Sequence, residues 1–251
     1  MKLFGLIGYP LSHSFSEKYF TEKFKREKIA GCQYKLFPLH FISELPVLLS
    51  AYPELWGLNV TIPYKEQVIP FMDELDETAL EAGAVNTIAI RHRSDTSRVI
   101  LKGYNTDMFG FRESIRPILR NHHQQALILG TGGAAKAIAA VLRSMNIRYL
   151  FVSRQPEAGE VSYAELNAAA VQHYPFIINC TPIGMHAQDG SCPPIPYEHL
   201  SEKNFLYDLI YNPEETEFLK RGKAKGALVK NGFDMLRLQA DKAWQIWEST
   251  A

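Results

Sequence analysis

Lys65 and Asp107 are the residues whose types and positions point most directly to chemistry. Lys65 closes the run Asn59-Val60-Thr61-Ile62-Pro63-Tyr64-Lys65, and Asp107 closes Gly103-Tyr104-Asn105-Thr106-Asp107. Both precede Gly130-Thr131-Gly132-Gly133-Ala134-Ala135, a glycine-rich turn between the apolar run Ala126-Leu127-Ile128-Leu129 and a helical pattern. An amine and a carboxylate that exchange a proton beside a bound hydride carrier would be dehydrogenase chemistry. Each residue also has a purely structural explanation. Asp107 falls in the first turn of a predicted helix, where a carboxylate complements the dipole, whereas Lys65, just after Pro63, sits near an expected helix start, where a cation opposes it. Most single lysines are simply exposed.

The glycine turn reads as G-x-G-x-x-A in its required strand–turn–helix setting. Gly130 allows the tight turn and Gly132 lets backbone approach a pyrophosphate, which then rests on the N–H groups of the following helix. A small residue at Ala135 lets helix and strand pack closely. The next strand ends Phe151-Val152-Ser153-Arg154-Gln155. A hydroxyl and a guanidinium with no acid favour a ribose 2′-phosphate, hence NADP over NAD. The alternatives are a ligand-free glycine turn and a solvated surface arginine. Near the N-terminus, Ser14 and Ser16 stand at another helix start, where hydroxyls and free N–H groups can hold a carboxylate. Ser14-x-x-Glu17 is equally a capping box.

These residues need elements to position them. Strands are expected at Phe4–Tyr9, Gln33–Leu39, Leu55–Ile62, Ala84–Ile90 and Val99–Gly103, the last two joined by a polar hairpin turn at 93–97, with a helix over Phe15–Ile29. A helix over Met108–Arg120 then leads into β/α alternation with strands at Ala126–Leu129, Arg148–Val152, Phe176–Asn179 and Phe205–Leu209. The chain closes on an amphipathic helix, Phe233–Trp247, whose Leu236, Ala240, Ala243, Trp244 and Trp247 form one apolar stripe. The 251 residues carry 27 basic and 27 acidic side chains and 46% hydrophobic residues. That balance describes a soluble globular protein with no footprint for nucleic acid or an anionic membrane. No apolar run is long enough to span a bilayer. Cys32, Cys180 and Cys192 are few, odd in number and widely spaced, which fits a reducing cytoplasm; metal-ligand spacing is absent.

Taken together, Gly8 to Ser16, Asn59 to Lys65, Gly83-Ala84-Val85-Asn86-Thr87, Gly103 to Asp107, the Gly130 loop, Ser153-Arg154, Asn179-Cys180-Thr181-Pro182, Asp208 to Pro213 and Gly232 to Gln239 resemble the shikimate dehydrogenase family along almost the whole chain. The resemblance implies an α/β fold in two parts. A mixed α/β substrate domain comprises 1–105 and 232–251, and a Rossmann-like doubly wound NADP-binding domain comprises 106–231. The last helix would fold back onto the first domain and carry Gln239 to the substrate.

The resemblance also assigns roles. Ser14 and Ser16 would hold the substrate carboxylate with Tyr211 nearby, and Thr61, Lys65, Asn86, Asp107 and Gln239 would surround the ring hydroxyls and carbonyl. Gly130, Thr131, Gly132, Gly133, Ala134, Ser153, Arg154, Thr181, Leu209 and Gly232 would bind the cofactor. The implied reaction is NADPH-dependent, reversible reduction of 3-dehydroshikimate to shikimate in aromatic amino acid and chorismate biosynthesis, with Lys65 and Asp107 catalytic. The implied protein is a cytoplasmic monomer or homodimer whose partner is a small molecule. This chain departs from the family pattern in three places. Asn-Arg-Thr is replaced by Ser153-Arg154-Gln155 with no second basic residue in 156–160, Gly-Ala-Gly-Gly by Gly130-Thr131-Gly132-Gly133, and a methionine by Leu209. An NAD-preferring quinate/shikimate dehydrogenase, a catalytically silent sensor of shikimate-like ligands, and a Rossmann-type protein with an unrelated small substrate stand as alternatives.

Overall fold

Alternation of apolar side chains builds the first sheet. In β1 (Lys2–Gly8), Leu3 and Ile7 point to one core and Phe4 and Leu6 to another, as the period of two requires. A computed structural model describes residues 1–11, 15–92, 99–185 and 190–250. The chain divides into two compact units, Met1–Thr106 with Ala240–Ala251, and Asp107–Gln239.

In the first unit, α1 (Phe15–Arg26) and β2 (Cys32–Pro38) follow β1, then α2 (Leu45–Ala51) and β3 (Leu55–Val60). Next come β4 (Glu74–Leu75), α3 (Glu77–Ala82), β5 (Thr87–His92) and β6 (Val99–Tyr104). The sheet order is β2-β1-β3-β5-β6-β4, with β1 parallel to β2 and β3 and β5 antiparallel to β3 and β6. Asp76 starts α3 by accepting the Thr78 N–H, and Gly83, at φ 60°, ends it in the left-handed region.

The second unit takes all of α4 (Thr106–Ile115) beyond its first residue, and continues with β7 (Gln125–Leu129), α5 (Gly133–Ser144), β8 (Arg148–Ser153), β9 (Glu160–Ser162), α6 (Ala168–His173), β10 (Phe176–Asn179), β11 (Phe205–Asp208), α7 (Glu217–Ala224) and β12 (Leu228–Lys230). Its strands are all parallel in the order β12-β11-β10-β7-β8-β9. The strand order reverses on either side of β7, which is the doubly wound arrangement. Burial of β7 beyond Gln125 and of all of β10 and β11 explains the apolar runs Ala126–Leu129, Phe176–Ile178 and Phe205–Tyr207.

α8 (Phe233–Thr250) closes the chain. Its C-terminal half packs on the first sheet, with Ala240, Ala243, Trp244 and Trp247 against Phe4, Phe20, Phe24 and Tyr34. The Trp247 indole donates to the Ile88 carbonyl at 2.9 Å, and a side chain at Gly57 would collide with that ring. Lys23 of α1 binds Asp241 at 2.9 Å, and the Tyr19 hydroxyl donates to the same carboxylate. On the stripe itself Met235 is buried and Leu236 only half-buried, one position from the expected pattern.

Other expectations shift for local reasons. No helix starts at Lys65; residues 61–68 form consecutive turns that end in a 3₁₀ turn at Ile69–Phe71. α4 stops at Ile115, ahead of Pro117, which cannot continue the ladder. β5 begins at Thr87 instead of Ala84, because Ala84 to Asn86 lead out of the Gly83 cap. β5 and β6 pair as expected of a hairpin, while the turn predicted between them lies outside the described residues.

Candidate active site

Three candidate substrate residues meet in the first unit through backbone hydrogen bonds. The Val60 N–H donates to the Asn86 carbonyl at 2.8 Å, beside Thr61, and the Val85 N–H donates to the Lys65 carbonyl at 2.7 Å, beside Asn86. Tyr64 anchors Lys65 from the other side: its ring is buried and its hydroxyl donates to the Leu39 carbonyl at 2.7 Å. Thr61 is fixed by its own N–H on the Ile7 carbonyl. The Thr61–Lys65 loop is thereby tied to β1 and to the segment entering β5.

Asn86 is buried and its carboxamide has one orientation. Its Oδ1 accepts from the Thr106 N–H at 2.7 Å and from the hydroxyls of Thr106 and Thr87 at 3.1 and 3.2 Å. A backbone N–H can only donate, so the oxygen must face Thr106 and Nδ2 the opposite side of the carboxamide. Behind it runs a polar chain that sequence reading did not single out. Asn59 donates to Thr87 at 3.2 Å and accepts from Tyr34 at 2.8 Å, and Tyr34 in turn bonds Ser16. Burial raises the Tyr34 phenol well above its ordinary range. The signal was present in Asn59 and Thr87, polar residues at strand positions where the pattern calls for burial. Ser14 lies outside the described residues.

Asp107, Tyr211 and Gln239 belong to the second unit. Asp107 lies half-buried in the first turn of α4, as predicted, directly after the Thr106 that Asn86 holds. Gln239 donates from Nε2 to the Leu236 carbonyl at 2.9 Å. α4 and α8 meet closely here, since a Cβ at Gly110 would lie 2.6 Å from the Met235 carbonyl oxygen and 3.0 Å from Gln239 Cβ. Tyr211 follows β11 and is half-buried, which raises its phenol pKa.

The nucleotide loop stands where the doubly wound order predicts a ligand, outside the carboxyl ends of β7 and β10. Gly130, Thr131, Gly132, Ser153, Arg154 and Thr181 all line one cavity of about 650 Å³. Gly130 has φ 100°, a conformation open to glycine, and a Cβ there would press on Thr181. A Cβ at Gly132 would meet nothing within 4 Å, so its absence opens backbone to the cavity. Gly132 caps α5 without a side-chain acceptor, and Gly133 and Ala134 begin the helix. This donor set fits a dinucleotide pyrophosphate. Thr181 is held by its hydroxyl and N–H on Asn179 Oδ1 at 2.6 and 3.0 Å. Leu209 and Gly232 lie apart from that lining and pack on each other, for a Cβ at Gly232 would strike the Leu209 carbonyl.

Comparison with known proteins agrees with this geometry. Residues 6–88 match the family model described as the shikimate dehydrogenase substrate binding domain. Shikimate dehydrogenase (NADP(+)) of Methanosphaera stadtmanae is 36% identical, over 97% of this chain and 90% of that protein. The chain belongs to the shikimate dehydrogenase family. Another member, shikimate dehydrogenase (NADP(+)) of Carboxydothermus hydrogenoformans, is 37% identical over 98% of this chain and 91% of its own length. The crystal structure of the Thermus thermophilus shikimate 5-dehydrogenase in complex with NADP(H) and shikimate superposes with a TM-score of 0.85 at 27% identity, covering 99% of this chain and 94% of that one. Family membership accounts for the fold class.

Proposed function

We propose that the chain is an NADP-dependent shikimate dehydrogenase, which reduces the ring ketone of 3-dehydroshikimate to the hydroxyl of shikimate and runs the oxidation in reverse. The observation that carries this reading is the site's composition in two parts. The segments bearing Thr61, Lys65 and Asn86 are tied by backbone hydrogen bonds from Val60 to Asn86 and from Val85 to Lys65, and a dinucleotide loop stands at the sheet's switch point. Relatives named for NADP align with the chain over nearly its full length.

The nicotinamide cofactor, when bound, supplies or accepts the hydride at the ring carbon. In reduction Lys65 gives its proton to the ketone oxygen as the hydroxyl forms, and in oxidation it takes that proton back. Asp107 orients the Lys65 ammonium and a neighbouring substrate hydroxyl. The Asn86 Nδ2 donors, Thr61 and Gln239 bind the remaining ring oxygens. A site of buried donors and acceptors rejects analogues that lack a hydroxyl, because its own groups would be left unpaired. Ser14 and Ser16, with Tyr211, take the carboxylate. Gly130 to Ala134 hold the pyrophosphate, Arg154 and Ser153 the 2′-phosphate, and Thr181, Leu209 and Gly232 complete the cofactor site. The substrate-binding role belongs to 1–105 with 232–251 and the dinucleotide role to 106–231. Three free cysteines suit a reducing cytoplasm, and the reaction places the protein in chorismate biosynthesis.

The test is formation of reduced nicotinamide, followed by its near-ultraviolet absorbance, with shikimate or quinate and with NADP⁺ or NAD⁺. Rapid turnover of shikimate with NADP⁺ alone supports the reading. Comparable rates with quinate or NAD⁺ would move the protein to the dual-specificity branch of the family, and ligand binding without turnover would make it a sensor.

A further inference from the structure

The cavity at the glycine loop has one cation, Arg154, among the described residues that line it. A ribose 2′-phosphate brings close to about two negative charges and three acceptor oxygens, more than one guanidinium satisfies. The same lining holds Tyr163, whose hydroxyl is buried and has no hydrogen-bond partner. A buried phenol left unpaired costs free energy, and such exceptions in a folded protein call for a specific explanation.

Strand register places this hydroxyl's residue beside the cation. β8 and β9 run parallel, with Ser153 opposite Ser162 as their last pair. Arg154 and Tyr163 directly follow the two strand ends, and both line the cavity at the carboxyl edge where a doubly wound sheet binds its ligand. The electrostatic influence of Arg154 reaches the Tyr163 phenol, whose pKa burial raises and Arg154 partly restores. Tyr163 is firmly seated, because it opens a 3₁₀ turn whose capping Ser162 donates from both N–H and hydroxyl to Glu165 at 2.7 Å. Arg154 is exposed, so its side chain has the freedom to adjust to an entering phosphate.

We propose that the Tyr163 hydroxyl is the second donor for the cofactor's 2′-phosphate, acting with Arg154, the one basic residue among the described residues of this lining. The proposal rests on the NADP reading given above. A phenol O–H donating to a phosphate oxygen is a charge-assisted bond, and it exchanges an unpaired buried group for a paired one. Tyr163 would therefore contribute to the choice of NADP over NAD.

Calorimetric titration of adenosine 2′,5′-bisphosphate and adenosine 5′-monophosphate into the wild type, Tyr163→Phe and Arg154→Ala tests this without turnover. Tyr163→Phe is expected to weaken the bisphosphate by roughly tenfold or more and to leave the monophosphate unchanged. Thermal melting of the ligand-free Tyr163→Phe protein should show no loss of stability, since the deleted hydroxyl has no partner there. Equal binding of the bisphosphate by Tyr163→Phe and wild type, or equal weakening of both nucleotides, overturns the assignment. A wild type that does not distinguish the two nucleotides overturns the NADP reading itself, and Tyr163 falls with it.

Discussion

Gly110 and Gln239 touch: a methyl group at Gly110 would lie 3.0 Å from Gln239 Cβ and 2.6 Å from the Met235 carbonyl. Gly110 is three residues beyond Asp107, so both lie on one face of α4. The close approach of α4 to α8 therefore sets Gln239 against the face that bears the proposed catalytic carboxylate. Gly110→Ala should force the helices apart at that point, with a cost of roughly 1–3 kcal/mol from overpacking. A lower melting temperature and a raised KM for shikimate, with a smaller change in the KM for NADP⁺, are the expected readouts. An unchanged KM would show that Gln239 does not depend on this contact.

Thr87 tests whether the buried polar chain orients Asn86. Its hydroxyl stands within 3.2 Å of Asn59 Nδ2, Asn86 Oδ1 and Thr106 Oγ1. Thr87→Val keeps the shape and removes the hydroxyl, leaving an Asn59 donor without its partner at a cost of about 1–3 kcal/mol. Thr87→Ser should restore most of both stability and substrate affinity. If Thr87→Val binds shikimate as the wild type does, the Thr106 contacts alone suffice to hold Asn86.

Two buried groups in the second unit give opposite pH dependences. Burial pushes Asp208 up to about 6 from 3.8, against donation from Thr216, Ile210 and Asn179. The folded state holds that proton more tightly, so the contribution of Asp208 to stability is full below 3.8 and is lost as pH rises through about 6. Burial pushes His123 down to about 4, with His122 adding to the effect. Its contribution is full above 6.5 and is lost as pH falls through about 4. Melting curves across this window should therefore rise more steeply with pH in Asp208→Asn than in the wild type, and less steeply in His123→Gln. Parallel curves for all three proteins would contradict both assignments.

What the sequence made legible was mostly local. The Gly130–Ala135 turn declares itself through glycine spacing between an apolar strand and a helix, and α8 through its periodic Ala240, Ala243, Trp244 and Trp247. The short α2, α3, α6 and α7 and the strands β4, β9 and β12 carry too few residues to show a period in the sequence. Lys65 misled because Pro63 is a common helix-start signal, yet the loop spends its hydrogen bonds on β1 and Val85 and forms turns instead. Tyr163, Gly110 and the Thr87 hydroxyl matter through what they meet in three dimensions. Tyr163 reads as an ordinary aromatic until the β8–β9 register sets it beside Arg154.

The most direct measurement is the initial rate of NADP⁺ reduction by shikimate in the wild type and in Lys65→Ala, with shikimate binding measured separately on both. The wild type should turn over shikimate with NADP⁺, and the variant should lose on the order of a hundredfold or more in kcat while still binding shikimate. Near-normal turnover in Lys65→Ala would contradict its role as proton donor, and a wild type inert toward shikimate with NADP⁺ would contradict the proposed function.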